Sequence, residues 1–436
     1  DAPVSDTDKI ALGYPVPIPV DTPMPFDGFR SYDGLHNRHQ ELANSSEWVH
    51  AIELGKTRDD RTIWAYQLGD GDRMTAEGLP EHAMLTNGGI HAREWATQEV
   101  ATGIMELLAL GAGETDLLPY LRDNANVLVI PVLNIDGFLQ TQRYPSTNWL
   151  GTNLVDPETD PRDGRMRRKN MLGADEDLGT QDDHLMGVDL NRNNPPYWNT
   201  DPEHSSDQPE SLVHHGASAQ SEPEIQALDA AALLGPPEKL SMFTDMHTFG
   251  QWHSWYRNDN DGLSNVTQGL LTTFTNHHYA FDAAKYYWFP TGDQVPLNDG
   301  WGMAFEYFAD EYQVPSWVIE IEPTGGADPN WPGQGADYGG LGRNGHDGFI
   351  LPDSEVERVR TELAQTFAVA YYKQSGPPSI AAIRFIDSAT GAVVHESEWD
   401  VTGETTRQMY SFTTQPLQLN RDYIFWMAFD KPMRWR

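Results

Sequence analysis

Ala83-Met84-Leu85-Thr86-Asn87-Gly88-Gly89-Ile90-His91-Ala92-Arg93-Glu94-Trp95 decides how this chain is read. An apolar run, Ala83–Leu85, reads as a buried strand, two glycines follow, and Ala96–Leu110 reads as a helix. His91 and Glu94 stand three positions apart on the turn between them and can point the same way. An imidazole and a carboxylate so placed make half a zinc site, short of its third protein ligand. The same pair arises at ordinary helix starts, where the Glu merely answers the helix dipole. Taken alone, that plainer reading prevails.

The neighbouring segments give the frame. Phe29–Asn44 has helical spacing, with Leu35, His39 and Leu42 on one face. Val49–Leu54 and Thr62–Leu68 alternate around a polar turn and read as strand–turn–strand. Asn126–Val132 is a continuous apolar run suited to a central strand, and it ends in the turn signal Leu133–Gly137. Ser221-Glu222-Pro223-Glu224 reads as a capping box opening a helix over 225–234. Leu240–Met246 and Val314–Glu322 read as strands, and Asp353–Lys373 as a long helix. Strands alternating with helices predict an α/β fold with a mixed central sheet, whose sites form where strand ends meet loops.

The ends differ from the middle. Residues 1–25 carry Pro15, Pro17, Pro19, Pro23 and Pro25 and read as an extended arm. Gly376-Pro377-Pro378 reads as a linker, after which the period changes to that of short strands: 380–386, 392–398, 408–414 and 423–429. The expected division is an arm (1–25), a large domain (26–375) and a small all-β appendage (376–436). The appendage is expected either to continue beyond Arg436 or to pack on the large domain. Residues 139–188 form a long polar segment holding a basic island, Arg165-Met166-Arg167-Arg168-Lys169. That island reads equally as local charge balance or as a grip for an anion.

Composition narrows the partners. Acidic residues outnumber basic ones 65 to 29, a net charge of −36, which argues against nucleic acid and against an anionic membrane surface. With no cysteine, thiolate chemistry and disulfides are excluded, so any metal must be held by His, Asp or Glu. No run approaches the ~18 apolar residues of a membrane span. The first residues, Asp1-Ala2-Pro3, suggest a processed N-terminus or a trimmed chain; removal of a secretory signal would explain them, and a secreted or periplasmic protein is expected. Oligomeric state is not readable.

Several residues stand out chemically. His247 closes the 240–246 strand roughly 150 residues after the first pair, as expected of a distant third zinc ligand. Glu320 is a carboxylate within an apolar strand, costly unless it has a partner or a role. Asp189 could orient a ligand His, and Arg168 and Arg192 could neutralise an oxyanion or a carboxylate. Asn258-Asp259-Asn260-Asp261 hints at calcium, but its spacing fails the EF-hand pattern and a turn is the better reading. His36, His39, His204, His214, His215, His277 and His278 read as ordinary structural or surface residues.

Together these motifs resemble the carboxypeptidase A/B superfamily of zinc metallopeptidases over roughly residues 26–375. Gly89–Trp95 is similar to its first zinc motif, and Leu133–Gly137 to its Asn-Pro-Asp-Gly turn, with Ile135 in place of Pro. Arg165–Asn170 resembles Arg-x-Trp-Arg-Lys-Asn, with Arg167 in place of Trp, and Gly187–Asn193 resembles Gly-Val-Asp-x-Asn-Arg-Asn. Gly216–Ser218 with Ser221–Glu224 matches its helix entry.

The resemblance implies a carboxypeptidase A-like fold and one Zn²⁺ held by His91, Glu94 and His247, with Glu320 as general base. It further implies Arg168 at the oxyanion, Asn191 and Arg192 on the substrate's terminal carboxylate, and Arg93 on the peptide upstream. Asp189 would hydrogen-bond His91, and Tyr287 would be the mobile tyrosine that closes over the substrate terminus. The partners would be peptide or protein C-termini. Terminal side-chain preference would sit in residues 291–301, with Asp293, Gln294, Val295 or Asp299 at the base of the pocket. Two other readings use the same residues: a γ-D-glutamyl peptidoglycan amidase on this fold, and a catalytically inactive peptide-binding relative.

Overall fold

A computed structural model describes residues 28–112, 116–142, 167–174, 186–235, 240–257, 261–283, 285–291, 300–324, 349, 351, 353–377, 380–398, 417–418 and 420–429. The N-terminal arm, most of 139–188, the 258–260 segment, residues 292–299 and the expected strand at 408–414 lie outside them.

Seven strands form one mixed sheet: β1 (Val49–Lys56), β2 (Thr62–Leu68), β3 (His82–Asn87), β4 (Ala125–Ile130), β5 (Leu240–Gly250), β6 (Trp252–Trp255) and β7 (Ser316–Thr324). Their spatial order is β1-β2-β4-β3-β5-β7-β6. β4, β3, β5 and β7 run parallel in the middle, and antiparallel strands close both edges. The central runs are apolar on both faces because both are covered: all six residues of β4 are buried.

The helices are α1 (Tyr32–Ser45), α2 (Trp95–Leu110), α3 (Leu117–Asn124), α4 (Ile135–Thr141), α5 (Pro223–Ala232), α6 (Asp261–Phe281), α7 (Ala304–Glu311) and α8 (Asp353–Ser375). α8 packs against α2, α3, α6 and β3, and its Tyr371 hydroxyl meets the Thr86 hydroxyl of β3 at 2.8 Å. α7 covers β5 and β7. A separate three-stranded antiparallel sheet comprises β8 (Ile380–Asp387), β9 (Val393–Glu398) and β10 (Tyr423–Phe429), in the order β10-β8-β9.

Three local expectations are corrected. The Leu133–Gly137 turn is the start of α4: the Asn134 side chain accepts from Gly137 N at 3.1 Å and so caps a helix. The capping box at Ser221 does not form. Glu222 is the N-cap of α5 and makes no side-chain cap bond. Ser221 Oγ instead donates to Glu222 Oε1 at 2.8 Å and accepts from Asn193 Nδ2 at 3.0 Å. His247 lies within β5, three residues before the strand ends.

Candidate active site

The turn after β3 is held by close backbone packing. Gly88 N donates to Ile130 O at 2.8 Å, and Leu133 N and Asn134 N donate to the carbonyls of Gly88 and Gly89 at 3.0 Å each. A Cβ on Gly88 would meet Thr97 O at 2.9 Å and Pro131 O at 3.1 Å, and Gly89 has φ +68°. Both positions require glycine. The turn delivers His91 and then Glu94, which is the N-cap of α2. Its side chain makes no cap bond. The helix-dipole reading of Glu94 therefore fails, since the carboxylate turns toward the histidines.

β5 carries His247 to the same place. Glu94 Oε1 lies 2.9 Å from His91 Nδ1, Glu94 Oε2 lies 3.2 Å from His247 Nδ1, and the two Nδ1 atoms are 3.1 Å apart. All three residues are buried. Thr248 N donates to Glu94 Oε2 at 3.2 Å and steadies it.

The outer nitrogens explain the orientation. His91 Nε2 hydrogen-bonds Asp189 Oδ1 at 3.0 Å, and His247 Nε2 lies 2.8 Å from Asp245 Oδ2. At His91 the Asp189 carboxylate keeps the ring proton on Nε2 and leaves Nδ1 a lone pair, while Asp245 sets negative charge beside the outer nitrogen of His247. Both Nδ1 atoms and the Glu94 carboxylate then converge on one point at close range, as ligands of a shared cation would. The separations of 2.9–3.2 Å are close to the ~3.3 Å edge of a zinc tetrahedron with Zn–N near 2.0–2.1 Å. The donor set fits zinc.

These groups also bias one another's charge. Burial pushes the Glu94 carboxyl up, but the His91 and His247 charges outweigh it and hold the group below the usual carboxylate range. Burial pulls His247 down, yet Asp245 and Glu94 outweigh it and raise the imidazole well above its ordinary value. Burial raises Asp189, and Arg168, His91 and Arg192 overcome that and hold it well below the usual range.

Several of the other expected residues gather around these three. β7 pairs in register with β5 so that Glu320 sits opposite His247. Burial lifts the Glu320 carboxyl to about 8, against the opposing pull of His247 and Arg168. Arg168 donates from Nε and Nη2 to Asp189 Oδ2 at 3.1 and 2.9 Å, which leaves Nη1 3.2 Å from His91 Nδ1. Arg167 is instead buried, donating to Asn170 O and Met186 O at 2.7 and 3.2 Å, and Lys169 donates to Pro209 O and Ser211 O. The basic island therefore divides: Arg168 faces the site while its neighbours fix the chain behind it.

Asn191 Nδ2 lies 3.1 Å from His247 Nε2, and its Oδ1 accepts from Ala304 N at 2.8 Å. Arg192 donates to His204 O and Asn191 O at 2.7 Å each, with its guanidinium 5.7 Å from the Trp301 ring centre. Arg93 is stacked on Phe349 at 4.4 Å.

Tyr287 is a correction. It is fully buried among His253, Phe274 and His278, and its hydroxyl accepts from Glu322 N at 3.2 Å. A ring with no exposed surface, packed into the core, is structural and does not close over a substrate. Its neighbours Tyr286 and Trp288 are the exposed ones, at 48% and 40%. Asp245 is the residue that sequence reading missed. Asp245-Met246-His247 carried the signal, because residues two apart on a strand share a face.

Residues 36–366 match the zinc carboxypeptidase family. The chain belongs to that family. It is 22% identical to carboxypeptidase A4 of Mus musculus over 76% of this chain and 66% of that protein. It is 26% identical to carboxypeptidase O of Bos taurus over 75% of this chain and 76% of that one. Against mast cell carboxypeptidase A of Rattus norvegicus it is 28% identical over 42% of this chain and 36% of the relative. The chain thus spans from about a third to two thirds of the length of the first of these curated relatives. Among solved structures, carboxypeptidase A from Helicoverpa armigera superposes with a TM-score of 0.57 at 21% identity, over 80% of this chain and 74% of that one. Thrombin-activatable fibrinolysis inhibitor gives 0.61 at 17% identity, over 80% and 75%. These likenesses show the fold.

Proposed function

We propose that the chain is a zinc-dependent metallocarboxypeptidase, an exopeptidase that hydrolyses the C-terminal bond of peptides and proteins. The observation that carries this reading is the meeting of His91, Glu94 and His247, with Glu320 opposite His247 across the β5–β7 register. These three residues would hold a single zinc ion, and when bound it would supply a Lewis acid that polarises a carbonyl and acidifies a water. Glu320 takes a proton at its carboxylate and returns it to the leaving amine. Arg168, pinned by two bonds to Asp189, presents fixed positive charge to a developing oxyanion. Asn191 and Arg192 are assigned to the terminal carboxylate, whose recognition makes the enzyme an exopeptidase. The 3₁₀ turn Leu190–Arg192 supports this reading, because Asp189 immediately before it holds both His91 and Arg168.

Glu320→Gln tests this. The variant is expected to bind zinc one-to-one, as wild type does, and to lose turnover by about 10³-fold. Turnover near the wild-type value would remove Glu320 from the role of base.

A further inference from the structure

A second group of acids lies far from the zinc ligands. The loop from β2 to β3 carries Asp70-Gly71-Asp72, and Glu81 directly precedes β3. One carboxylate oxygen from each of Asp70, Asp72 and Glu81 lies within 4.8 Å of the others. The loop is ordered by its own side chains: Asp70 Oδ1 accepts from Asp72 N at 3.0 Å, and Asp72 Oδ1 from Met74 N at 2.6 Å. Gly71, at φ +82°, makes the reversal between the two aspartates, and a Cβ there would meet His50 Nε2 at 2.7 Å.

Glu81 is the unusual member. It is 1% exposed, and its Oε1 is buried with no hydrogen-bond partner among the described residues. Among the described residues no Lys or Arg pairs with Asp70, Asp72 or Glu81. A buried carboxylate oxygen without a donor is costly, and two further acids beside it make it more so. Burial first, and then the charges of Asp70 and Asp72, push the Glu81 carboxyl up to about 8. The arrangement is a set of oxygen donors short of a positive charge.

The donor chemistry selects the cation. Three carboxylates with no imidazole or thiolate among them suit a hard ion. Two of the three are exposed, which leaves room for waters to complete a shell of six to eight oxygens, as calcium requires. We propose that Asp70, Asp72 and Glu81 form a calcium site that ties the β2–β3 loop to the root of β3. The six residues of β3, at about 3.3 Å each, separate this site from the turn bearing His91 by about 20 Å. Calcium here braces the strand that leads to the zinc ligands and takes no part in their chemistry. This inference does not depend on the peptidase reading.

The test uses the zinc-loaded full chain, titrated calorimetrically with calcium chloride and, separately, magnesium chloride at constant ionic strength, with thermal unfolding in parallel. One saturable calcium site is expected, with magnesium weaker, and a Tm rise of about 3 °C or more at a hundredfold excess over Kd. Asp70→Asn/Asp72→Asn, both exposed, is expected to keep zinc and turnover while losing at least about tenfold in calcium affinity, together with the Tm shift. Glu81→Gln gives the same loss if it folds. Overturning results are the absence of saturable calcium binding, or an unchanged affinity and Tm shift in the double variant, which would mark general screening of an acidic surface. Tighter binding of magnesium than calcium would overturn the assignment of the ion.

Discussion

His247 and His253 stand six residues apart, are both buried, and both pair with β7, yet they share little else. His247 is paired with Glu320 and His253 with the adjacent Ile319, so the two rings lie on opposite faces of the sheet. Asp245 and Glu94 flank the nitrogens of His247 and raise it well above its ordinary value. Neither ring nitrogen of His253 has a partner among the described residues, and its ring lies 5.0 Å from Phe274 and 5.7 Å from Tyr287. Burial, with a small push from His278, drops it to about 3. Burial alone does not make an imidazole a ligand. His247 differs in having carboxylates at its outer nitrogen and beside its inner one. Tyr287 belongs to the His253 face, which is why it is core.

The largest effect should come from removing the two rings in turn. His247→Ala is expected to lose tightly bound zinc and essentially all hydrolysis. His253→Leu should keep both, with stability changed by less than about 1.5 kcal/mol at neutral pH. Metal analysis and an activity assay read this directly. Zinc loss in His253→Leu, or zinc retention in His247→Ala, would break the contrast.

A smaller effect isolates the outer carboxylates. Asp245→Asn and Asp189→Asn should each weaken zinc about 10–100-fold, measured by chelator competition, because the amides no longer fix the ring tautomer. Unchanged affinity would mean that the two carboxylates are not what separates His247 from His253.

The smallest effect is on stability against pH. The folded-state value of His253, about 3, lies below its ordinary 6.5, so the folded chain binds fewer protons than the unfolded one in that window. Its contribution is present in full above 6.5 and is lost as the pH falls toward 3. Between pH 6.5 and about 4.5 the loss amounts to about 2–3 kcal/mol. Denaturant unfolding of His253→Leu should show a shallower acid-side decline than wild type by that amount. Parallel declines would place a partner on His253.

Much of the frame was legible because it rests on local signals. The apolar runs of β3, β4, β5 and β7 mark central strands, and each proposed zinc ligand sits beside such a run or within one. Asp189, Arg168 and Glu320 were singled out by motif order and cost, and the structure brings them beside His91 and His247. What failed depends on tertiary contacts. Whether Tyr286, Tyr287 or Trp288 faces outward is set by how that segment crosses β6, where Trp252 bridges Trp288 and His253 N donates to Trp288 O at 2.7 Å. Ser221 looked like a cap, but Asn193 and Glu222 occupy its hydroxyl. Asn134 supplied a turn signal whose chemistry also starts a helix. Asp245 was overlooked because its role appears only once His247 is known to need an orienting partner. The 291–301 segment expected to set side-chain preference falls largely outside the described residues.

The most direct test of the central claim is to incubate the zinc-loaded chain with one peptide in two forms, free and amidated at its C-terminus, and to follow products by mass spectrometry. The account predicts stepwise loss of single C-terminal residues from the free form and at least about 100-fold slower cleavage of the amide, since Asn191 and Arg192 then lack a carboxylate to hold. Internal cleavage, equal rates on both forms, or no hydrolysis of either by zinc-loaded protein would contradict it.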